Sequence, residues 1–304
     1  VLRRAGITAP ILILSEQPAE LAELIVGYGL TPTVTSTRGA ATIANAAATA
    51  QRVVKVHLKI DTGMHRVGVA PDEAVMLAKF ITSFPSLEIE GVFTHFAVAD
   101  EPEHEANARQ LNTFLSTLDD LATARITPPL IHAANSAAAL AAENSRFTLV
   151  RTGITTYGLT PGEGVDALCA GLIPAMSLKA KVSALRWIEA NDAVSYGLRR
   201  PVAQASLIAT VPMGYADGIP RALGATDIPV LINGVPRRFA GTVTMDQVMI
   251  DCGSDSAVTV GDEVVFIGRQ GDHVVTADDW ARATGTIGYE IVCGISSRIH
   301  RRYV

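Results

Sequence analysis

Up to about residue 160, short apolar runs alternate with stretches whose apolar residues recur at helical spacing. Strands are predicted at 11–14, 31–36, 55–61, 89–96, 130–136 and 149–154. Helices are predicted between them, in EQPAELAELIVGYG, TRGAATIANAAATAQR, PDEAVMLAKFITSFP, HEANARQLNTFLSTLDDLATA and SAAALAAE. Such alternation predicts a parallel sheet with helical crossovers, closed as a (β/α)8 barrel or open and doubly wound. In VHLKID, Val56, Leu58 and Ile60 alternate with His57, Lys59 and Asp61, a period of two that puts the polar three on one face. Thr94 with His95, then His132 with Asn135 and Ser136, then Arg151, fall on or just past the carboxyl ends of later strands. A barrel gathers those ends on one rim, where active sites are built, whereas an open sheet does not bring five strands to one place. The expectation is therefore an α/β fold, an incomplete (β/α)8 TIM-type barrel over residues 1–170. Six strands leave about two of eight unaccounted for, and the chain starts with Val1 rather than Met, so the expected chain is an N-terminally truncated fragment.

From residue 171 the pattern becomes strand-rich, in SLKAKVSALRWI, PVAQASLIATVPM, IPVLINGVPRRFAGTVTMDQVMIDCG, AVTVGDEVVFIG and HVVTADDWARATG. Asn233-Gly234 between two apolar runs predicts a tight hairpin. Residues 171–304 are expected to form a mostly antiparallel β domain.

Composition narrows the function classes. A hydrophobic share of 48% is that of a folded globular chain, and a net charge of -5 leaves no basic footprint for nucleic acid. No apolar run reaches the roughly 18 residues of a membrane span. Cys169, Cys252 and Cys293 are far apart and odd in number, with no CxxC or zinc-ligand spacing, which points to reduced thiols in a cytoplasmic protein with no metal site.

The polar face of 57–61 raises the question of chemistry. A buried ammonium is costly unless paired, so Lys59 and Asp61 read either as a structural ion pair or, with Arg66 following, as part of an anion-binding site. Ser136 is a candidate N-cap, and a helix start with a hydroxyl suits a phosphate. Gly153, two residues past Arg151, permits close approach of backbone amides to an anion. Tyr196 in VSYG and Tyr215 in GYADG stand beside glycines, where tyrosines commonly do no more than fill turns.

Taken in order, KIDTGMHRVG, FTHFA, HAANSAA, VRTGITTYG, VSYG, GYADG, TMDQ and TIGYEIVCGISSRIHRRYV resemble the motifs of alanine racemase. Thr244 stands where cysteine is common and Gly288 where asparagine is common. The resemblance implies a pyridoxal-phosphate (PLP) enzyme, a homodimer with shared active sites. Its activity would be the interconversion of L- and D-alanine, supplying D-alanine for cell-wall peptidoglycan. It implies that Arg151 faces the pyridine nitrogen and that Asn135, Ser136, Gly153, Ile154 and Tyr289 bind the cofactor. Tyr196 would be one catalytic base, with His95 as its neighbour relayed to Arg151. Arg66 and Met245 would meet the substrate carboxylate, Tyr215 would line the entrance, and Tyr196 and Met245 would come from the partner subunit. The lysine matching Lys59 is often carbamylated in the family. The family's second base, the lysine that carries the cofactor, lies in a K-x-D-x-Y-G-H-G-like motif, which none of Lys55, Lys59, Lys79, Lys179 and Lys181 matches. Other readings are a broad-specificity racemase, a PLP barrel decarboxylase, which would favour a carboxylate at the ring nitrogen, and a non-catalytic PLP-binding or scaffold fragment.

Overall fold

The computed structural model describes residues 1–304. They form two compact units, one of residues 1–153 and 162–168, the other of residues 154–161 and 169–304.

The first unit is a five-stranded parallel sheet, with strands adjacent in sequence order. The strands are β1 (Leu12–Ile13), β2 (Thr31–Val34), β3 (Val54–Lys59), β4 (Leu87–Phe93) and β5 (Leu130–His132). Between and after them run α1 (Ala22–Gly27), α2 (Thr37–Thr49), α3 (Ala74–Thr82), α4 (Glu105–Thr123) and α5 (Ser136–Ala141). This is part of a barrel wall, the closure that the polar residues at the strand ends favour. The sixth expected strand is absent. Residues 149–153 form no ladder, although the Arg151 N–H donates to the Ala134 carbonyl at 3.0 Å, and a 3-10 turn begins at Ile154. Apolar Leu149 and Val150 beside a β-branched run gave a strand pattern, and the segment does run beside β5, with Thr148 N donating to the Ile131 carbonyl at 3.1 Å, but these isolated bonds do not make a ladder.

The period of two in β3 is real. Val56, Leu58 and Ile60 are fully buried in a core shared with Ala40, Ala44 and Ala47 of α2 and Leu77, Ala78 and Ile81 of α3. Burying such side chains is worth on the order of 1.5–3 kcal/mol each. His57 and Lys59 point the other way and are also buried. The strand end is braced by a short return loop, in which Asp61 N donates to the Val69 carbonyl and Val69 N to the Lys59 carbonyl, both at 2.9 Å. Gly68, at φ +148°, lies against the Asp61 backbone, where a side chain would collide.

In the second unit β6 (Leu178–Lys181), β7 (Ala184–Ile188), β8 (Ser206–Val211), β9 (Pro229–Ile232), β10 (Val235–Phe239), β11 (Val248–Asp251), β12 (Glu263–Gln270) and β13 (His273–Val275) form one antiparallel sheet. The order is β13-β12-β9-β10-β11-β8-β7, with β6 also on β12. The Asn233-Gly234 hairpin joins β9 to β10, both residues having positive φ, 52° and 77°. That is the twist a two-residue primed turn demands. The segment after His273 is only partly strand. Thr276 and Asp279 form a reciprocal capping box that starts α6 (Ala277–Thr284), which buries Trp280, and α7 (Gly288–Gly294) follows.

Candidate active site

The carboxyl ends of β3, β4 and β5 place a polar cluster around Arg151. One of its terminal nitrogens, Nη1, lies 2.6 Å from His132 Nδ1. The other, Nη2, donates to the carbonyls of Thr94 and Ala133 at 2.8 Å each, and lies 3.2 Å from His95 Nδ1. No carboxylate pairs with the guanidinium, and its Nε–H makes no hydrogen bond. Burial pushes the Arg151 pKa down to about 10, which still leaves it charged at neutral pH. Burial, then the Arg151, Arg66 and Lys59 charges, holds His95 neutral, its pKa pushed down to about 4. Burial, Arg151 and His57 push His132 to about 2.

Phe93 is the floor of the cluster. Its ring stacks on His132 at 4.5 Å with 8° between planes, and Lys59 Nζ and the Arg151 guanidinium lie 5.5 Å and 5.2 Å from its centre. Cations over an aromatic face are attracted by the ring quadrupole. Gln110 reaches in from α4. Its Nε2 donates to the His95 carbonyl at 3.0 Å and to Thr62 Oγ1 at 3.3 Å, while its Oε1 accepts from Ala97 N at 2.9 Å.

The Lys59–Asp61 ion pair does not form. Asp61 accepts from the backbone N–H groups of Gly63 and His65, each at 3.0 Å, and lies 3.4 Å from His65 Nδ1. Its side chain therefore serves the turn that Gly63 opens. Lys59 has no acidic partner, and burial, then Arg66 and Arg151, lower its pKa. Arg66 is exposed and makes no hydrogen bond. Ser136 is not the N-cap of α5. Asn135 is, its side chain accepting from Ala138 N at 3.0 Å, and Ser136 is the first helical residue. Its Oγ accepts from Gly153 N at 2.8 Å, which ties the helix start to the segment after Arg151.

In the second unit Tyr196 is 75% exposed, on a turn with positive φ at Ser195, Gly197 and Leu198. Thr242 Oγ1 donates to the Tyr196 carbonyl at 2.8 Å, and Ser195 Oγ to the Thr242 carbonyl at 2.6 Å. Tyr215 and Met245 are held together through backbone. The N–H groups of Tyr215 and Ala216 donate to the carbonyls of Thr244 and Met245 at 3.0 Å, while both side chains are exposed. Ile154 is buried and Tyr289 half-buried in the core of this unit.

Of the residues singled out in the sequence, the first unit brings together His95 with Arg151 and Ser136 with Gly153. Sequence reasoning gave no role to His132, Phe93 or Gln110. The available signal was His132 at the buried end of a strand, in phase with His57.

The family model for the alanine racemase N-terminal domain matches residues 1–161, and that for the C-terminal domain matches residues 175–303. The chain is 42% identical over 302 residues to the alanine racemase of Symbiobacterium thermophilum, covering 99% of this chain and 80% of that one. It is 41% identical over 306 residues to that of Thermobifida fusca, with 99% and 80% covered. Among solved structures, the alanine racemase of Clostridium difficile 630 superposes with a TM-score of 0.92 at 38% identity, covering 98% of this chain and 77% of that one. That of a D-cycloserine-producing Streptomyces lavendulae gives 0.92 at 37%, with 100% and 80% covered. With both domain models matched and identities near 40% along nearly its whole length, the chain belongs to the alanine racemase family.

Proposed function

We propose that the polar cluster around Arg151 and the exposed Tyr196 and Met245 carry the family's reaction, the PLP-dependent interconversion of L- and D-alanine. The observation that bears most weight is the guanidinium of Arg151, fixed by His132, His95 and two carbonyls, with no carboxylate and with its Nε–H unused. An arginine can only donate, and it does not hand over its proton. That donor set fits a pyridine nitrogen left unprotonated, and it disfavours a decarboxylase, which would favour a carboxylate there. Ser136 and Gly153, joined at the start of α5, fit the phosphate end, with Asn135 holding the helix start and Ile154 and Tyr289 as further ligands.

Pyridoxal phosphate, when bound, supplies the electron sink that makes the Cα proton of alanine acidic. Arg151 tempers that sink by withholding a proton. Tyr196 moves the Cα proton on one face, with neutral His95 beside Arg151 as its neighbour. Arg66 and the Met245 backbone hold the substrate carboxylate, and Tyr215 lines the entrance. Tyr196 and Met245, 75% and 54% exposed, suit donation to the site of a second copy in a homodimer. Lys59, buried without an acid beside two arginines, is the residue we assign to carbamylation, which would turn a repelled cation into an anion able to bind Arg66. No helix is long and apolar enough to cross a membrane, and three unpaired cysteines suit a cytoplasmic protein.

The opposite face needs a second base. None of the five lysines has the family's lysine motif around it, so these 304 residues alone should not racemise alanine. The test compares this chain plus PLP with a chimera carrying a relative's lysine-bearing segment ahead of Val1. An active chimera and an inactive chain are expected. Racemisation by the chain alone would refute the missing-base reading, and a folded but inactive chimera would refute the residue roles.

A further inference from the structure

Behind Arg151 the polar contacts continue away from the reaction. His132 Nε2 lies 2.8 Å from His57 Nδ1, and His57 Nε2 lies 3.7 Å from a carboxylate oxygen of Glu90. Glu90 also pairs with the exposed Lys55 at 2.7 Å. His57 and His132 are buried, at 2% and 0% exposure.

The direction of every proton in this line is forced. Arg151 Nη1 can only donate, so His132 Nδ1 must accept. Were His57 to donate to His132 Nε2 as well, His132 would carry no proton at all and be an imidazolate. Were His132 doubly protonated, an N–H would face the guanidinium. So His132 carries its one proton on Nε2 and donates it to His57 Nδ1. That leaves the His57 proton on Nε2, aimed at the Glu90 carboxylate.

The backbone is shaped for this line. The parallel pairing of β3 and β4 slips by one residue, from Val56 opposite Ile89 to His57 opposite Gly91, so Glu90 is the extra residue of a bulge. Bulges re-aim side chains and are frequent near active sites. A Cβ on Gly91 would overlap the His57 ring, so glycine there makes the room that the imidazole fills.

We propose that His57 and Glu90 are positioning residues: they fix the single proton of His132 on Nε2, keep its Nδ1 a pure acceptor, and so hold the Arg151 guanidinium in one plane. The proposal rests on the reading that places Arg151 at the cofactor ring nitrogen.

Ring-nitrogen NMR of the histidine-labelled chain tests the proton directions without any variant. His132 and His57 should each be neutral with the proton on Nε2. A proton on His132 Nδ1, or on both its nitrogens, overturns the proposal. In the racemising chimera, His57→Phe keeps a ring but removes the acceptor. It should shift the absorbance of bound cofactor and lower kcat about tenfold with KM nearly unchanged, the scale of one lost buried hydrogen bond. His57→Gln, whose amide oxygen accepts the same N–H, should restore both readouts to within about threefold of the parent. Equal losses in the two variants, or a change in KM alone, overturn the positioning role. Arg151→Lys separates the two ideas. If it shifts the cofactor absorbance and His57→Phe does not, the relay is wrong. If neither shifts it while the NMR directions hold, the placement of Arg151 is wrong. Should His57→Phe fail to fold, the unmodified spectrum still decides.

Discussion

Lys59 Nζ stands 5.5 Å from the centre of the Phe93 ring with no carboxylate in ion-pair reach. A buried, unpaired ammonium near Arg66 and Arg151 opposes folding, and its lowered pKa expresses that cost. Lys59→Met keeps the length and removes the charge. Were Lys59 still a free ammonium, chemical denaturation at neutral pH should show stability unchanged or raised by about 1 kcal/mol. With the carbamate proposed above, an anion paired with arginine, the expected result is a loss of more than about 2 kcal/mol, and labelled bicarbonate with carbon NMR should detect the carbamate directly.

His95 and His132 predict a pH dependence of stability. Burial leads the causes that hold both below the ordinary range, at about 4 and about 2. In the unfolded chain each titrates near 6.5, so above about that pH neither state binds a proton and the contribution is flat and complete. As pH falls from about 6.5 towards 4, only the unfolded chain takes up protons, and each histidine costs about 1.4 kcal/mol per pH unit. Below about 4 His95 also protonates in the fold, while His132 continues alone. Denaturation midpoints should therefore drop through this window, less steeply in His95→Asn. Equal slopes for parent and variant would show that the His95 ring takes its proton freely in the fold.

Arg151→Glu, in the racemising chimera, replaces a group that withholds its proton with one that shares it. Racemisation should fall by at least tenfold while pyruvate accumulates from side transamination, read by a coupled dehydrogenase assay. Loss of racemisation with no pyruvate would point to collapse of the cluster rather than altered electronics, since the new carboxylate would face the Thr94 and Ala133 carbonyls.

Tyr196→Phe, in the racemising chimera, should leave packing untouched, because the side chain is 75% exposed. Loss of a general acid–base group costs on the order of 10² to 10⁴ in rate. Racemisation should fall by that order in both directions, since the equilibrium constant cannot change. Exchange of the Cα hydrogen with deuterium should persist for D-alanine and be largely lost for L-alanine. Symmetric losses would remove Tyr196 as the base of one face.

Much of this was legible in the chain, for identifiable reasons. Strict alternation through 54–60 fixed which face of β3 is polar, because a strand has only two faces. Asn233-Gly234 announced its turn because few other pairs tolerate two positive φ values. What escaped notice depended on partners distant in sequence. Leu149 and Val150 look like a strand, but beside β5 their segment makes only isolated backbone bonds, from Thr148 and Arg151. Ser136 looks like a cap, yet Asn135 takes that role one residue earlier, accepting from Ala138 N, while the Ser136 hydroxyl accepts from Gly153 N. α6 was hidden behind β13 because Thr276 and Asp279 signal a helix only as a pair. The His57–His132 contact spans 75 positions and crosses β4, whose register slips at Glu90.

Gln110 offers a last consequence. Its amide has the same donor–acceptor polarity as a peptide group, and it uses both ends on the segment just past β4, at His95 and Ala97. The loop that carries His95 thus borrows a rung from a helix where a neighbouring strand would otherwise supply one. Glutamate at 110 would fit the same space but offer two acceptors to a carbonyl and an N–H, leaving the His95 carbonyl facing like charge. One amide thus ties α4 to the loop that carries His95 at both of its ends, so the placement of that loop depends on the face that α4 presents.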